Sequence, residues 1–213
     1  MTSFILAALI TVLKKHPIFN ASIDEASQEV VFKKYLHLGI AVDTEQGLIV
    51  PVIKDADKKD LGVLSRELQE LAEKTRQRKV GIEDLQGGSF TVSNQGGIGG
   101  GHFTPIVNRP EVAILGIGQA RKKPAAKDDK IQILTLVPLA LSYDHRLIDG
   151  GGAARFISDL VGAIEKFDET VILNALKNPG RSGKDRSAKT PDAGGKQTKS
   201  SKKDKQILVK GKR

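Results

Sequence analysis

The sequence predicts an α/β fold in which a mixed sheet is flanked by helices. Segments with strand and helix patterns alternate along the chain, which is the arrangement of such domains. Apolar residues recur at helical spacing in 61–78, whereas Ser89–Ser93 alternates polar and apolar residues as a β-strand does. The stretches Val112–Ile117 and Ile131–Leu141 are strongly apolar, as expected of strands in a protein core.

The N-terminal half is predicted to begin with a buried helix and to continue as a hairpin. Residues 3–15 are apolar on nearly every side and stop at His16-Pro17, so this helix needs cover on more than one face. Gln46-Gly47 marks a tight turn between two apolar runs, which favours a hairpin. The strands expected in this half are 30–32, 38–42 and 48–53.

The second half is predicted to end in a helix that follows the last apolar strand. A charged loop is expected at 122–130, between the two most apolar strands. Gly150–Gly152 then introduces a helix from about Ala153 to Phe167. A short helical turn around 171–176 closes the predicted domain, residues 1–179.

The net charge of +9 belongs to the last 33 residues. The chain has 34 Lys and Arg and 25 Asp and Glu, of which 12 basic and 3 acidic residues lie between Arg181 and Arg213. The body is therefore neutral. The segment 180–213 is too polar to offset the entropy of ordering and is predicted to be a basic disordered tail. A nucleic-acid-binding hypothesis rests on this tail alone, and no nucleic-acid partner is expected.

Composition excludes several classes of site. The chain has no Cys, so disulfides, zinc-thiolate sites and a cysteine nucleophile are impossible. No pair of histidines has metal-ligand spacing, and no metal is expected. The longest apolar run, Phe4–Leu13, is too short to cross a bilayer, and its lysines follow it instead of preceding it as in a signal peptide. These features predict a cytoplasmic protein with no membrane partner.

The glycine cluster Gly96–Gly101 invites a phosphate-loop interpretation that its spacing does not support. His102 occupies the position of the third glycine of a dinucleotide fingerprint, and no Gly-Lys-Ser/Thr element exists. A turn that lets chain segments approach closely is favoured. His16 and His37 are expected to be structural or at the surface, and His102 is not expected to contact a ligand.

His145 has a more suggestive setting. It follows the apolar strand Leu139–Tyr143 and precedes a sharp turn at Asp149-Gly150-Gly151. An imidazole at the end of a buried strand is well placed to act as a general base near neutral pH. A histidine with satisfied hydrogen bonds in the core fits this position equally well.

Several sequence blocks carry a family resemblance. The segment Tyr143–Gly150 (YDHRLIDG) resembles the DHRxxDG signature of the dihydrolipoamide acyltransferases, the E2 components of 2-oxo-acid dehydrogenase complexes. Further blocks resemble that catalytic domain in the same order over residues 3–168, and the pattern is most similar to the acetyltransferases of pyruvate dehydrogenase. These blocks are 16–22, 39–44, 47–53, 90–94, 103–108 and 110–116.

The resemblance implies a fold like chloramphenicol acetyltransferase and a catalytic role for three residues. His145 would be the general base that removes a thiol proton, and Ser93 would donate a hydrogen bond to the tetrahedral oxyanion. Asp149 would be the motif carboxylate that holds the active-site turn and the setting of His145. It could equally be a carboxylate at a helix N-terminus. Arg146 is expected to be a structural ion-pair partner.

The resemblance also implies the reaction and its partners. An acyl group, with acetyl expected first, would pass between dihydrolipoamide and coenzyme A, which is a substrate. The lipoyl group would come from a separate domain or chain, and E1 and E3 enzymes would bind only through domains absent here. A homotrimer within a larger E2 core is expected, with active sites between subunits.

Two further expectations concern what this stretch of chain covers. By the resemblance it starts inside the catalytic domain, so that an opening strand and helix are expected to be missing. The alternative function is therefore a non-catalytic core or scaffold subunit of a 2-oxo-acid dehydrogenase complex.

Overall fold

A computed structural model describes residues 1–127, 129–167 and 207–209 of the chain. It contains three α-helices in these residues, α1 (Thr2–Lys15), α2 (Leu61–Arg76) and α3 (Gly150–Glu165). Helix α1 is buried over most of its length, as its apolar surface requires. Helix α3 begins three residues earlier than predicted, because the side chain of Asp149 caps it ahead of the glycines.

The main sheet is mixed, as predicted. Its strands are β3 (Leu38–Thr44), β4 (Gly47–Ile49), β5 (Val52–Ile53), β6 (Phe90–Asn94), β7 (Ala113–Ile117) and β10 (Leu139–Tyr143). They have the order β10-β7-β6-β3-β4, and β5 pairs with β3 on the edge opposite β6, beside β4. Strand β6 runs parallel to both β3 and β7, whereas β10 is antiparallel to β7 and β4 is antiparallel to β3.

Two smaller sheets accompany the main sheet. One contains β1 (Ala21–Asp24), β2 (Glu29–Phe32) and β11 (Ile207–Val209) in that order, and the other pairs β8 (Arg121–Lys127) with β9 (Lys130–Leu136). Short 3₁₀-helices fill four of the connections: Pro17–Asn20, Ala56–Lys58, Ile82–Leu85 and Gly96–Ile98.

One face of the main sheet forms the core together with the three helices. Alternate residues of β3, β6 and β7 point to this face, because side chains in a strand alternate between its two sides. Phe156 of α3 stacks on Phe19, with 4.1 Å between the ring centroids. The buried sheet residues on this face are Leu38, Ile40, Val42, Phe90, Val92, Ala113, Leu115 and Ile117.

Two sequence predictions about the second half were wrong in detail. The stretch 122–130 is not a loop, since most of it lies in β8, which pairs with β9 as an exposed ribbon. The apolar run 131–141 is not one strand, since β9 ends at Leu136 and β10 begins at Leu139. Pro138 lies in this gap, and proline cannot donate a ladder hydrogen bond. Strand β10 is half-buried instead of buried, because it is the edge of the described sheet.

The tail prediction differs at three residues. Ile207–Val209 belongs to the segment expected to be disordered, yet it pairs antiparallel with β2, with Leu208 opposite Val31. The boundary at 179/180 and the helical turn at 171–176 lie outside the described residues. Among those that are described, no helix has both the length and the apolar character needed to cross a membrane.

Candidate active site

Ser93 lies near the end of β6, on the face of the sheet away from the helices. It pairs with Ala41 of β3 and Gly116 of β7, and 9 % of its surface is exposed. Phe90 and Val92 point to the helices, so the alternation of the strand turns Ser93 the other way. Within the described residues its hydroxyl has no hydrogen-bond partner, so its O–H is free to be donated to a ligand.

His145 lies in the turn that follows β10, and its side chain is exposed. Its ring centroid is 5.8 Å from that of Tyr143. The turn itself is held by backbone hydrogen bonds: the N–H of Asp144 donates to the carbonyl of Val112 (2.8 Å), and the N–H groups of Leu147 and Ile148 donate to the carbonyl of Asp144 (both 3.1 Å). Hydrogen bonds thus hold the backbone around His145, while its imidazole remains exposed to solvent.

Arg146 is an ion-pair residue, as predicted. Its Nη2 lies 2.7 Å from Oδ2 of Asp144, and its Nη1 lies 3.6 Å from Oε1 of Glu25 on the turn after β1. The hydrogen bond from the guanidinium lowers the pKa of the Asp144 carboxyl. The side chains on either side of His145 are therefore fixed to each other and to the β1–β2 hairpin.

Asp149 caps helix α3. The N–H of Gly152 donates to its Oδ1 at 2.5 Å, which satisfies one of the free N–H groups of the first turn. This is the helix-terminus interpretation of the residue. Its second suggested role, in the setting of His145, stays a prediction.

A single chain does not bring Ser93 and His145 together. In the sheet, Ser93 of β6 lies opposite Gly116 of β7, and Gly116 lies opposite Ala140 near the start of β10. His145 follows the other end of β10. Two strand spacings of about 4.8 Å and three residues of about 3.3 Å separate Ser93 from Tyr143, so their Cα atoms are about 14 Å apart. His145 lies beyond Tyr143, so the two candidate catalytic residues are at opposite ends of the sheet.

The other histidines behave largely as predicted. His16 is structural, because its Nε2 lies 2.7 Å from Oδ2 of Asp159 and its ring packs on Phe156. His37 is structural as well, because its Nδ1 accepts the N–H of Asp55 at 2.9 Å. His102 is exposed and lines an apolar cavity of about 610 Å³ between α1, α3 and the start of β10. Whether it contacts a ligand there stays a prediction.

The glycine cluster forms a tight turn, as predicted. Gly99 has a φ of 87°, in the left-handed region that favours glycine. A Cβ atom built on Gly118 would lie only 2.1 Å from the carbonyl oxygen of Gly101, so the loop packs directly against the turn after β7. The N–H of Gln119 donates to the carbonyl of Gly100 at 2.7 Å. In the described residues, no group of three or more His, Cys, Asp or Glu side chains could hold a metal ion.

Sequence reasoning missed Glu111. It lies two residues before β7 with 6 % of its surface exposed, and burial raises the pKa of its carboxyl to about 7. The hydroxyl of Thr91 donates to its Oε2 at 2.6 Å. The sequence did contain one signal, an acidic residue directly before a run of apolar residues expected to be buried. Because carboxylates are almost never fully buried without partners, such a residue indicates a buried carboxyl that is held by hydrogen bonds or an ion pair.

Comparisons with known proteins show the family of the chain. Residues 1–172 match the model of the 2-oxoacid dehydrogenases acyltransferase (catalytic domain) family. The dihydrolipoyllysine-residue acetyltransferase component of the pyruvate dehydrogenase complex from Haemophilus influenzae is 48 % identical over 157 residues, which are 74 % of this chain and 28 % of that protein. The chain thus spans less than a third of the length of this relative.

Solved structures show the same fold. One was determined to investigate the role of a serine, a histidine and an asparagine in the catalytic mechanism of the Azotobacter vinelandii dihydrolipoamide acetyltransferase. It is 44 % identical, with a TM-score of 0.76 over 80 % of this chain and 70 % of that chain. A structure of the cubic core of the pyruvate dehydrogenase multienzyme complex has the same TM-score and coverage, at 45 % identity.

A more distant structure, chloramphenicol acetyltransferase, is 16 % identical with a TM-score of 0.50 and covers 76 % of this chain and 77 % of that chain. This likeness concerns the fold alone, and it confirms the predicted fold class. The family match and the identities to its members go further. The chain belongs to the 2-oxoacid dehydrogenase acyltransferase family, whose catalytic domain it carries.

Proposed function

We propose that this chain transfers an acetyl group between coenzyme A and dihydrolipoamide, with His145 as general base and Ser93 as oxyanion donor. The observation that carries the proposal is the placement of these two side chains on the fold of the family. The side chains of both residues are free of hydrogen bonds and ion pairs to other described residues.

The spacing of the candidate residues supports their assignment. In the A. vinelandii enzyme, the serine under investigation precedes the histidine by 52 residues, and the asparagine follows the histidine by four. Ser93 precedes His145 by 52 residues, and Asp149 follows His145 by four. Asp149 thus stands where the relative has asparagine. Both residue types are good helix N-caps, so the capping role is compatible with either.

The separation of Ser93 and His145 in one chain supports a site built from two copies. Acyl transfer needs the base and the oxyanion donor within hydrogen-bond reach of one reacting thioester. If His145 of one copy faces Ser93 of the next, a cyclic assembly such as a homotrimer completes every site, because each copy supplies both halves to different neighbours. The similarity to a cubic core supports a larger assembly of such units.

The chemistry explains why a histidine and a serine suffice. His145 takes the proton from the attacking thiol, and the thiolate adds to the carbonyl carbon of the thioester. The resulting oxyanion accepts a hydrogen bond from the Ser93 hydroxyl. The C–S bond to the other thiol then breaks, and the departing thiolate receives the proton from the His145 imidazolium.

The magnitudes are adequate for an enzyme that works on activated esters. A free thiol with a pKa of about 8.5 is only a few per cent ionised at pH 7, and a positioned base contributes about 10²–10⁴-fold. One oxyanion donor contributes about 10²–10³-fold. The derived steps use no metal ion.

The substrates and partners are part of the proposal. Coenzyme A is a substrate, and the lipoyl group arrives on a separate domain or chain. E1 and E3 enzymes would bind through domains outside the matched region. Neither nucleic acid nor membrane enters the reaction, and the cytoplasmic location stays a prediction.

The test is acetyl transfer from acetyl-coenzyme A to free dihydrolipoamide. We expect the wild-type chain to be active, and His145→Ala to lose at least about 10²-fold in kcat. Ser93→Ala should lose about 10²-fold or more. The exposed residue Glu70 on α2 offers a control, Glu70→Gln, which should match wild type. Wild-type activity that survives in His145→Ala would contradict the assignment.

A scaffold role is the second candidate, and the similarity to a cubic core favours it. A scaffold subunit would form large assemblies while wild type and His145→Ala are equally inactive. Sedimentation of both proteins alongside the transfer assay separates the two functions. The side chains of Ser93 and His145 form no hydrogen bond or ion pair with other described residues. This favours the catalytic role, because a scaffold does not require unpaired polar side chains at these positions.

A further inference from the structure

Glu111 is a buried carboxyl group to which the proposed reaction gives no role. A carboxyl group in the interior costs free energy unless its oxygens find donors, so its contacts are informative. It touches three parts of the structure: strand β6, the turn at Gly88, and the β1–β2 hairpin, where it forms an isolated bridge with Ser22.

The contact with β6 links Glu111 to the strand that contains Ser93. Thr91 donates its hydroxyl to Oε2 of Glu111 at 2.6 Å, and 1 % of its surface is exposed. Thr91 and Ser93 are two residues apart on the same strand, so they share one face of the sheet. The side chain of Asn108 also interacts with this carboxyl and partly offsets the effect of burial on its pKa. The carboxyl of Glu111 is therefore anchored to the strand that carries the proposed oxyanion donor.

Two glycines allow the backbone to lie close to the Thr91–Glu111 pair. A Cβ atom on Gly39 would lie 2.6 Å from Oγ1 of Thr91, and one on Gly88 would lie 2.5 Å from Oε1 of Glu111. Real Cβ atoms do not approach other atoms so closely. The absence of a side chain at both positions therefore leaves the space that the hydrogen-bonded pair occupies.

The backbone next to Glu111 is hydrogen-bonded to the turn that contains His145. The carbonyl of Val112, the next residue, accepts the N–H of Asp144 at 2.8 Å, and Asp144 directly precedes His145. A shift of Glu111 would therefore move the acceptor that holds this turn.

The two arginines near Glu111, Arg109 and Arg146, form ion pairs with other acidic residues and not with Glu111. Together with Glu111 they line a cavity of about 560 Å³. Arg146 binds Asp144 and Glu25, and Arg109 also binds Glu25 at 3.3 Å. No described residue forms an ion pair with Glu111, so hydrogen bonds alone fix its carboxyl. The charged residues facing it from the neighbouring elements are Asp24, Glu25, Arg109, Asp144 and Arg146.

We propose that Glu111 is a positioning residue that fixes the strand carrying Ser93 relative to the turn carrying His145. The inference rests on the proposed function, because that function assigns these two residues. Since Ser93 and His145 of one chain serve two different sites in the proposed assembly, Glu111 holds one half of each of two neighbouring sites.

The matched variants are Thr91→Val and Thr91→Ser. Valine keeps the shape of threonine but removes the hydroxyl that holds the carboxyl, whereas serine keeps the hydroxyl. Thr91→Val should lower kcat about 10-fold, since small misplacements of reacting groups are costly, with KM for both substrates unchanged. Thr91→Ser should restore kcat towards wild type. Glu111→Ala should resemble Thr91→Val, and Glu70→Gln serves as the surface control.

A second readout is independent of activity. Amide hydrogen exchange should become faster in Thr91→Val in both 90–94 and 144–148, and remain at the wild-type rate in Thr91→Ser. The proposal is overturned if Thr91→Val and Thr91→Ser have equal kcat, if the loss lies in KM, or if exchange changes in one segment only. If the wild-type chain transfers no acetyl group, the proposed function fails, and the exchange rates alone decide the positioning role.

Discussion

Hydrogen-bond partners distinguish the structural histidines of this chain from the proposed base His145 and the proposed oxyanion donor Ser93. His16 and His37 both have polar partners, a carboxylate and a backbone N–H respectively. Ser93 and His145 have neither a hydrogen bond nor an ion pair within the described residues. A polar group that the fold leaves without a partner is available to a substrate. Sequence position alone could not make this distinction for His145.

Glu111 predicts a pH-dependent difference in stability. Burial raises its pKa from 4.5 to about 7 in the folded chain, so between these values the folded state holds a proton that the unfolded state has released. The contribution of Glu111 to wild-type stability should therefore fall as pH rises from 4.5 to 7 and then level off, because linkage favours the state with fewer protons at higher pH. Glu111→Gln has no such proton to lose.

The measurement is the free energy of unfolding in urea at pH 4 and pH 8. Relative to wild type, Glu111→Gln should gain about 3 kcal/mol between these two values, at about 1.36 kcal/mol per unit of pKa shift. Other groups titrate alike in both proteins and cancel in the difference. Equal pH dependence of the two proteins would show that the carboxyl titrates normally. Glu70→Gln, at an exposed position, should show no comparable gain.

At the scale of elements, helix α3 depends on the side chain that starts it. Asp149→Ala should lower the free energy of unfolding by about 1 kcal/mol, because the N–H of Gly152 loses its acceptor. Asp149→Asn should stay close to wild type in both stability and kcat, since asparagine also caps helices and the A. vinelandii relative has an asparagine four residues after its histidine.

The matched control is Asp60→Ala, which removes the side chain that accepts the N–H of Val63 at the start of α2. It should cost similar stability and leave kcat unchanged. If Asp149→Asn keeps its stability but loses kcat, the carboxylate has a role in the setting of His145 beyond the helix cap.

Elements with a buried face could be predicted from the sequence, whereas exposed ones could not. Helices α1 and α2 and strands β6 and β7 follow from their apolar patterns, because each has a face in the core. Strand β8 carries lysines and was predicted to be a loop, whereas β9 was predicted as part of one buried strand although Ile131 and Ile133 are exposed. Glu111 was missed for a related reason, since its burial depends on Thr91 and two glycines brought close by the fold.

At the scale of the whole molecule, the residue types of the site could be read from motifs, but their separation could not. Ser93 and His145 belong to sequence blocks that resemble one family, and nothing in their spacing places them at opposite ends of a sheet. That result depends on the strand order β10-β7-β6 and on the antiparallel pairing of β10. If the two residues act in one reaction, this topology requires that they come from two copies of the chain.

A mixing experiment tests this at the same scale. Ser93→Ala and His145→Ala chains are each expected to be nearly inactive. When the two are unfolded together and refolded as mixed cyclic assemblies, about a quarter of the sites should combine an intact serine with an intact histidine. Recovery towards a quarter of wild-type activity supports a site shared between copies. No recovery in mixed assemblies of normal size would place both residues of a site in one chain.

In the proposed site, which two chains would share, the rate per chain would also depend on the protein concentration. If each working site needs two chains, dilution below the dissociation constant of the assembly dismantles the site while every chain stays folded. Specific activity would then fall with dilution by mass action, and added substrate that bridges two chains would restore it. The transfer rate per chain would then report the position of the equilibrium between separate and associated subunits.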